Sequence, residues 1–323
     1  MAEPQPRRIF LLGATGTIGR ATTGALVRRG HEVVCFIRPG AAAYGLEGAE
    51  LRFGDVTDAR SLAAAGLRGE RFDVLLSCLA SRTGVPADAW AIDHRANSHA
   101  LAAARAAGVG QFILLSAICV QHPRLAFQHA KLAFEAELIA SGSPYTIVRP
   151  TAFFKSLSGQ VERVRAGKPF LLFGDGRLTA CKPISDADLA AYLADCVGNP
   201  DRMGRILPIG GPGPAMTPRQ QGELLFALTG RPARFRAVSP ALLKGAAALL
   251  DAVGTILPAA ARKAELARIG HYYATESMLV RDPATGRYDA DATPETGRET
   301  LADHYRALLA GERADERGDH ALF

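Results

Sequence analysis

The sequence predicts an α/β fold, in which a doubly wound parallel sheet is joined to a smaller C-terminal lobe. Three observations support this fold class. A glycine-rich turn separates an apolar run from a helical pattern near the start, and short apolar runs then alternate with helical patterns as far as Pro150. Beyond Pro150 the pattern changes to glycine and proline clusters with separate helical segments. The alternation is typical of parallel strands with helices on both faces of the sheet.

The first element is the segment RIFLLGATGTIGR at residues 8–20. Its apolar residues 9–12 predict a strand, and three glycines follow before a helical pattern begins. This arrangement is typical of a dinucleotide site, because Gly13 allows a tight turn, Gly16 leaves room for a pyrophosphate and Gly19 lets the helix pack closely. The backbone N–H groups at the helix start would face the anion. The predicted cofactor contacts in this turn are Gly13, Thr15, Gly16, Thr17, Ile18 and Gly19.

The remaining elements follow in order. Apolar runs predict strands at residues 32–37, 51–54, 74–77, 112–116 and 145–148, and the clearest helical patterns cover residues 88–107 and 125–140. This order predicts a dinucleotide-binding Rossmann domain in residues 1–150. Residues 151–323 are predicted to form a substrate-binding lobe that is interleaved with the sheet edge, with helices at 186–197, 218–228 and 240–256. The nearly apolar helix 240–256 fits a buried helix, a lid over an apolar ligand or a contact with a membrane surface.

Composition narrows the class of protein. Among 323 residues, 38 are basic and 32 acidic, which gives a net charge of +6. The basic residues are scattered, which argues against nucleic-acid binding. Attraction to an anionic small molecule is enough to account for the positive net charge. Five dispersed cysteines without a C-x-x-C pair predict no metal site and a reducing compartment. No apolar signal region precedes the first strand and no run is long enough to span a bilayer, so we expect a cytoplasmic protein.

The spacing G-x-x-G-x-x-G resembles the short-chain dehydrogenase/reductase superfamily, especially its extended and atypical branches. The second strand ends at Arg38 with no acid nearby, and an arginine there suits the 2′-phosphate of NADPH rather than the free hydroxyl of NADH. The resemblance implies that Asp55 hydrogen-bonds the adenine amino group. Cys78, Leu79 and Ala80 follow the fourth strand and are expected to line the inner edge of the cofactor.

The usual catalytic residues of this superfamily are a serine and a Tyr-x-x-x-Lys pair. Ser116, at the end of the fifth strand, and Lys131 occupy the positions of the serine and the lysine, but Phe127 stands where the tyrosine belongs. Phenylalanine has no proton to donate to a carbonyl oxygen. Two hypotheses follow. One is a non-enzymatic NADPH-binding regulator or assembly factor, and the other is hydride transfer to a conjugated carbon–carbon double bond.

The second half of the chain favours the enzyme. Its blocks FFKSL, GDG, ACKPIS, LPIGGPG and YYATESML closely resemble the NADPH-dependent 3,8-divinyl (proto)chlorophyllide a 8-vinyl reductases, which are atypical, NmrA-like short-chain reductases. The resemblance implies that NADPH reduces the 8-vinyl group of a divinyl chlorophyllide to ethyl, in chlorophyll or bacteriochlorophyll synthesis. The plant members carry a transit peptide, whereas this chain starts almost at its first strand. A bacterial cytoplasmic enzyme is therefore the expectation.

The implied substrate is a tetrapyrrole, a flat apolar macrocycle with a central magnesium and an anionic propionate. It suits a wide apolar pocket with one or two cations. In the superfamily the loop after the sixth strand lies beside the nicotinamide, so Pro150 and Thr151 are expected to contact the cofactor. Tyr272 and Tyr273 are candidates for a proton donor or for stacking rings. The predicted substrate residues are Phe153, Phe154, Phe170 and Phe173 for ring surface, and Lys155 and Lys182 for the propionate.

Overall fold

The computed structural model describes residues 5–254 and 258–313, with the backbone alone for residues 251–254, 258 and 259. Its strands are β1 (Arg8–Leu12), β2 (Glu32–Ile37), β3 (Glu50–Phe53), β4 (Val74–Ser77), β5 (Gln111–Leu115), β6 (Tyr145–Pro150), β7 (Phe170–Phe173), β8 (Arg205–Ile209), β9 (Phe235–Val238), β10 (Val280–Arg281) and β11 (Tyr288–Asp289). Seven of them form one parallel sheet in the order β3-β2-β1-β4-β5-β6-β8, which confirms the predicted fold class. The strand order reverses between β1 and β4, and open sheets of this kind bind ligands at that point, beyond the carboxyl ends of the strands.

Helices connect most strands of the large sheet, whereas residues 38–49 between β2 and β3 contain no helix. One predicted helix, at residues 88–107, is interrupted in the structure by a π-helical stretch, Trp90–Ala96, that joins two α-helical segments. The α-helices are α1 (Thr17–Arg28), α2 (Ala59–Ser61), α3 (Pro86–Ala89), α4 (Asn97–Ala106), α5 (Ala126–Ala140), α6 (Phe154–Leu157), α7 (Val161–Arg165), α8 (Asp186–Ala194), α9 (Pro218–Thr229), α10 (Pro240–Gly254), α11 (Pro258–Thr275) and α12 (Leu301–Ala310).

The sheet is buried on both faces, as its continuous apolar strands require. Side chains alternate along a strand, so Ile9 and Leu11 of β1 face one side while Phe10 and Leu12 face the other. All four are fully buried. The first face packs against α1 and α8, and the second against α4 and α5. The sheet is therefore doubly wound.

The seventh strand, β8, was not predicted from the sequence. It pairs with β6 after the chain has left the sheet and passed through α6, α7, β7 and α8. The segment RILPI contains Pro208, which cannot donate a ladder hydrogen bond, and its residues are mostly part-exposed because β8 is the edge strand. Both properties hide the strand pattern. Residues beyond 150 thus return to the sheet.

A second core lies within the lobe. It is built from Phe154, from the apolar faces of α7 and α9, and from Tyr305 and its neighbours on α12. Two small sheets border it, the parallel pair β7–β9 and the antiparallel pair β10–β11. Phe170, which was predicted to offer ring surface to the substrate, is 4% exposed in this core.

Helix α10 packs against α11 and is otherwise largely open to solvent. Its Leu242 and Leu249, seven residues apart and so on one helix face, are 65% and 70% exposed. The interpretation of residues 240–256 as a buried helix is therefore wrong for the described side chains, and residues 255–257 lie outside the described residues. Within the parts of the chain that the structure describes, no helix combines the length and hydropathy that a membrane crossing needs.

Candidate cofactor site and active site

Two of the three glycines in the turn after β1 are required by the fold itself. Gly13 has a φ of +75°, and a Cβ built on it would lie 2.5 Å from the carbonyl oxygen of Cys78. A Cβ on Gly19 would lie 2.1 Å from the carbonyl oxygen of Gly13. Only glycine lets β1, β4 and α1 approach this closely. These two residues build the turn, whether or not a ligand is present.

Gly16 differs from its two neighbours. Its φ of −75° and ψ of 163° suit any residue, and a Cβ there would meet only an ordinary contact of 3.4 Å. Gly16 is exposed and caps α1 without a side-chain hydrogen bond, and the first helical turn, which starts at Thr17, carries no acid. The free N–H groups and the positive end of the helix dipole fit an anion, so the turn fits the pyrophosphate of a dinucleotide.

The adenosine end of the predicted site lies at the carboxyl ends of β2 and β3. Arg38 follows β2 directly and is exposed. Asp55 follows β3, and its Oδ1 accepts hydrogen bonds from the backbone N–H (2.8 Å) and hydroxyl (2.7 Å) of Thr57. These hydrogen bonds, helped by the Arg38 charge, hold the pKa of Asp55 below its ordinary value. Arg38 is thus near enough to Asp55 for their charges to interact, and the contact of both residues with a nucleotide stays a prediction.

Arg20, on α1, supports the loop beside this end of the site. Its guanidinium carbon lies 3.9 Å from the ring centroid of Tyr44, and its Nε donates to the Tyr44 carbonyl oxygen at 3.0 Å. A stacked, hydrogen-bonded arginine has little freedom to reach a ligand. Arg20 therefore orders the loop between β2 and β3, which leaves Arg38 as the exposed cation at the end of β2.

The residues after β4 form the wall behind the turn. The backbone N–H of Cys78 donates to the Leu12 carbonyl oxygen at 2.9 Å, so the chain stays beside β1. Leu79 is buried and Ala80 is exposed at this edge. Burial raises the pKa of the Cys78 thiol to about 12, so this thiol stays protonated and acts as a small apolar group.

Lys131 lies on α5 and forms a buried ion pair. Its Nζ is 2.9 Å from Oδ1 of Asp93, and the two side chains are 10% and 1% exposed. The carboxylate of Asp93 also accepts the backbone N–H of Ser81, just beyond β4, at 3.3 Å. These partners fix the ammonium beside the end of β4. The contact of Lys131 with a nicotinamide ribose stays a prediction.

Ser116, at the end of β5, is engaged with the protein interior. Its hydroxyl donates to Oε1 of Glu135, on α5, at 2.5 Å, and Glu135 also forms an ion pair with Arg149 of β6. Glu135 is 2% exposed and Ser116 5% exposed. The serine proton is thus committed to a buried carboxylate. This hydroxyl is poorly placed to polarise a carbonyl oxygen of a substrate.

Phe127 stands on α5 at the position of the superfamily tyrosine. Phe127 packs in an apolar cluster with Ile269 and Tyr272 of α11. The hydroxyl of Tyr272 donates to backbone carbonyl oxygens of Cys119 (2.9 Å) and His122 (3.0 Å), and burial raises the pKa of Tyr272 above its ordinary value. Tyr272 therefore keeps its proton inside this cluster, which favours a structural role over proton donation.

The loop after β6 contributes less to an open pocket than the sequence analysis expected. Pro150 ends β6 and is buried, and Thr151, 4% exposed, donates its hydroxyl to the carbonyl oxygen of Lys182. Lys182 itself donates to the Thr293 carbonyl oxygen at 3.0 Å and lies 3.5 Å from the Glu295 carboxylate. Lys182 is therefore satisfied within the protein.

The consecutive residues Phe153, Phe154 and Lys155 have three different surroundings. Phe153 is part-buried against the core beneath the turn, whereas Phe154 is 2% exposed in the lobe core and has no ring face left for a ligand. Lys155, predicted to bind the propionate, instead reaches the glycine-rich turn, where its Nζ donates to Oγ1 of Thr17 at 2.7 Å. Phe153 stays a predicted substrate residue, while the position of Phe154 is that of a core residue.

Sequence reasoning missed the two buried carboxylates, Asp93 and Glu135. Both lie on helices whose existence was predicted, and each holds one of the predicted catalytic residues. Glu135 lies one helical turn after Lys131, but its partners Ser116 and Arg149 lie at the end of β5 and on β6. The partner of Asp93 likewise lies on another element, so neither pairing could be found from spacing along the chain.

Comparisons with known proteins agree with this geometry. A family profile described as NAD(P)H-binding matches residues 13–200. The chain is 47% identical to the chloroplastic divinyl chlorophyllide a 8-vinyl-reductase of Oryza sativa subsp. indica, over 99% of this chain and 83% of that protein. The reductase of the same name from Cucumis sativus is also 47% identical, over 99% of this chain and 81% of its own length.

A solved structure supports the fold. The NADPH-dependent quinone oxidoreductase QOR2 of Escherichia coli, in complex with NADPH, superposes with a TM-score of 0.69 at 22% identity, over 93% of this chain and 99% of that one. The resemblance drawn from the sequence blocks is confirmed by the two plant reductases. Because it is 47% identical to those enzymes over 99% of its length and matches the NAD(P)H-binding profile, the chain belongs to the divinyl chlorophyllide a 8-vinyl-reductase family.

Proposed function

We propose that this protein reduces the 8-vinyl group of divinyl chlorophyllide a, or of divinyl protochlorophyllide a, to an ethyl group in (bacterio)chlorophyll biosynthesis. The observation that carries the proposal is the combination of an anion-binding turn at Gly16 with Phe127 at the position that would protonate a carbonyl oxygen. A site of this kind suits a substrate without a carbonyl at the reacting carbon. Relatives that match 99% of the chain bear the name of this activity.

The residues of the site have separate roles in this reaction. Bound NADPH supplies a hydride, which adds to the terminal vinyl carbon. The conjugated macrocycle spreads the resulting negative charge, so no side chain has to protonate an oxygen, and a proton then reaches the inner vinyl carbon from water or an acid. Lys131, fixed by Asp93, holds the nicotinamide ribose, and the commitment of Ser116 to Glu135 leaves the serine a supporting role.

The cofactor is NADPH rather than NADH because of the charges at its adenosine end. Arg38 is exposed at the end of β2, where NADH-binding sites usually carry an acid. The guanidinium can hold a 2′-phosphate with two parallel hydrogen bonds. Pro150 and Thr151 lie at the end of β6 and support the nicotinamide side through their backbone, since the Thr151 hydroxyl is already used.

Turnover tests the proposal directly. Purified protein mixed with NADPH and divinyl chlorophyllide should produce monovinyl chlorophyllide, seen as a small blue shift of the Soret band and as a new chromatographic peak. Protein from which NADPH is withheld is the control. If folded protein binds NADPH but converts neither pigment, the result favours the second candidate, a non-enzymatic NADPH-binding regulator or assembly factor, which Phe127 alone supports.

The compartment and the surroundings of the protein belong to the same proposal. All five cysteines are free, and four of them are buried. Free thiols are typical of a reducing compartment, which supports a cytoplasmic location. Helix α10 supports contact with a membrane surface, because its exposed Leu242 and Leu249 belong to a helix pair, α10–α11, that also carries the exposed cations Lys244, Arg262 and Lys263.

Vesicle binding tests the membrane contact. We expect the unchanged protein to sediment with vesicles that contain phosphatidylglycerol, and the variant Leu242→Glu/Leu249→Glu to bind at least about tenfold more weakly, because two leucines no longer enter the lipid. Ile139→Glu on α5, where the isoleucine is 42% exposed, is the matched control and should bind like the unchanged protein. Equal binding by both variants would contradict the proposed contact.

A further inference from the structure

Lys155 connects the lobe to the nucleotide-binding turn. It lies on α6, the first lobe helix, and its Nζ donates to the hydroxyl of Thr17 at 2.7 Å, although the two residues are 138 positions apart in the chain. Thr17 is the first residue of α1, next to Gly16. The ammonium is therefore at the helix end that fits the pyrophosphate.

The residues before Lys155 hold it in this place. The backbone N–H of Phe154 donates to the carbonyl oxygen of Ile184 at 3.1 Å, and the phenyl ring of Phe154 is enclosed in the lobe core. Phe153 packs on the other side, against the core beneath the turn. A lysine that follows two anchored aromatic residues has a fixed starting point, so its ammonium loses little further freedom when it binds an anion.

The charge of Lys155 has no acidic partner in the structure. Lys131 is paired with Asp93 and Lys182 with Glu295, whereas no carboxylate lies within ion-pair distance of Lys155 among the described side chains, those of residues 5–250 and 260–313. A hydroxyl is the neighbour of its ammonium instead. A half-buried cation beside an acid-free helix end is placed for an anionic ligand rather than for a structural ion pair.

We propose that Lys155 binds the diphosphate of the dinucleotide and thereby links the lobe to the bound cofactor. The proposal rests on the proposed function only for the identity of the ligand, NADPH. Thr17 holds the ammonium until the phosphate oxygens replace or join its hydroxyl.

Binding of two ligands to the purified full-length chain tests this role. NADPH contains the diphosphate, whereas adenosine 2′-monophosphate keeps the 2′-phosphate and lacks every phosphate that the turn would bind. Lys155→Met should weaken NADPH binding by roughly ten- to hundred-fold, the range expected for one charged hydrogen bond, and leave the binding of adenosine 2′-monophosphate unchanged. Arg38→Ala should weaken the binding of both. Isothermal titration calorimetry measures both ligands.

Three controls make the result specific. Lys155→Arg should restore most of the NADPH affinity, since arginine also holds phosphate, and Lys168→Met removes an exposed lysine of the same lobe and should change nothing. A thermal melt without ligand establishes that Lys155→Met is folded. Unchanged NADPH affinity in the folded Lys155→Met variant would overturn the inference. So would a variant in which only the KM for the pigment rises, because that result would assign Lys155 to the propionate.

The inference and the proposed function can fail separately. If the protein never converts the pigment but Lys155→Met still loses NADPH, the role of Lys155 stands and the reductase activity does not. If the unchanged protein reduces the pigment and Lys155→Met binds NADPH with the same affinity as the unchanged protein, the activity stands and the diphosphate contact is refuted.

Discussion

The Lys131→Met variant is expected to lose nearly all turnover and to unfold with about 3 kcal/mol less free energy than the unchanged protein. Methionine keeps the apolar stem of the side chain but leaves the carboxylate of Asp93, which is 1% exposed, without its counter-ion. The remaining buried charge has lost both water and its partner, and this is the source of the cost. Urea unfolding measures the stability, and pigment reduction at saturating NADPH measures the turnover.

A second change in the same chain separates the two roles of Lys131. The double variant Lys131→Met/Asp93→Asn contains no unpaired buried charge, so most of the lost stability should return. Turnover should stay absent, since no ammonium remains to hold the nicotinamide ribose. If the double variant is active, or if Lys131→Met is fully active, Lys131 has only a structural role.

Gly19→Ala is expected to have the largest effect on folding. The new methyl group would lie 2.1 Å from the Gly13 carbonyl oxygen and 2.8 Å from Cα of Ala14, and neither backbone atom can move without displacing the turn. Overpacking of this kind costs about 3 kcal/mol or more, and here it also separates α1 from β1. We expect a protein that unfolds at much lower urea concentrations and no longer binds NADPH.

Gly16→Ala is the matched comparison for Gly19→Ala. The backbone at Gly16 suits alanine, and the added methyl group meets only a contact of 3.4 Å within the protein. Stability should therefore stay within about 0.5 kcal/mol of the unchanged protein, as for an ordinary exposed substitution. NADPH binding should fall, because the methyl group takes the space of the pyrophosphate. Equal loss of stability in the two variants would contradict the distinct roles assigned to these glycines.

Much of the sheet could be predicted because its strands are buried on both faces. Residues 32–37 and 74–77 form β2 and β4 with the bounds that the apolar runs indicated. Other strand ends differ by one or two residues, as at β5, where the predicted residues 112–116 are Gln111–Leu115. Periodicity reports burial, and at strand ends burial and hydrogen bonding do not stop at the same residue. The edge strand β8 lacked the signal for a different reason, because its residues are mostly exposed or part-exposed and it contains Pro208.

The site was harder to predict than the sheet, because its residues meet only after the elements have packed. The positions of Lys131 and Ser116 followed from their distance along known elements, but Asp93 could not be assigned to Lys131 without the packing of two helices. Likewise, nothing in the sequence places Lys155 beside Thr17, 138 positions away. The sequence shows which residue types are available, but only the tertiary structure shows which neighbour each one has.

The excursion of the chain between β6 and β8 has a consequence for how this enzyme can diversify. The segment that leaves at Pro150 and rejoins at Arg205 is tethered at both ends to adjacent strands. The entropic cost of closing such a loop grows only with the logarithm of its length, so doubling the length adds about 0.6 kcal/mol. Insertions in an exposed turn of this segment, such as residues 166–169, therefore leave α8 on the sheet and Lys155 at the nucleotide-binding turn, and the lobe can change length there at little thermodynamic cost.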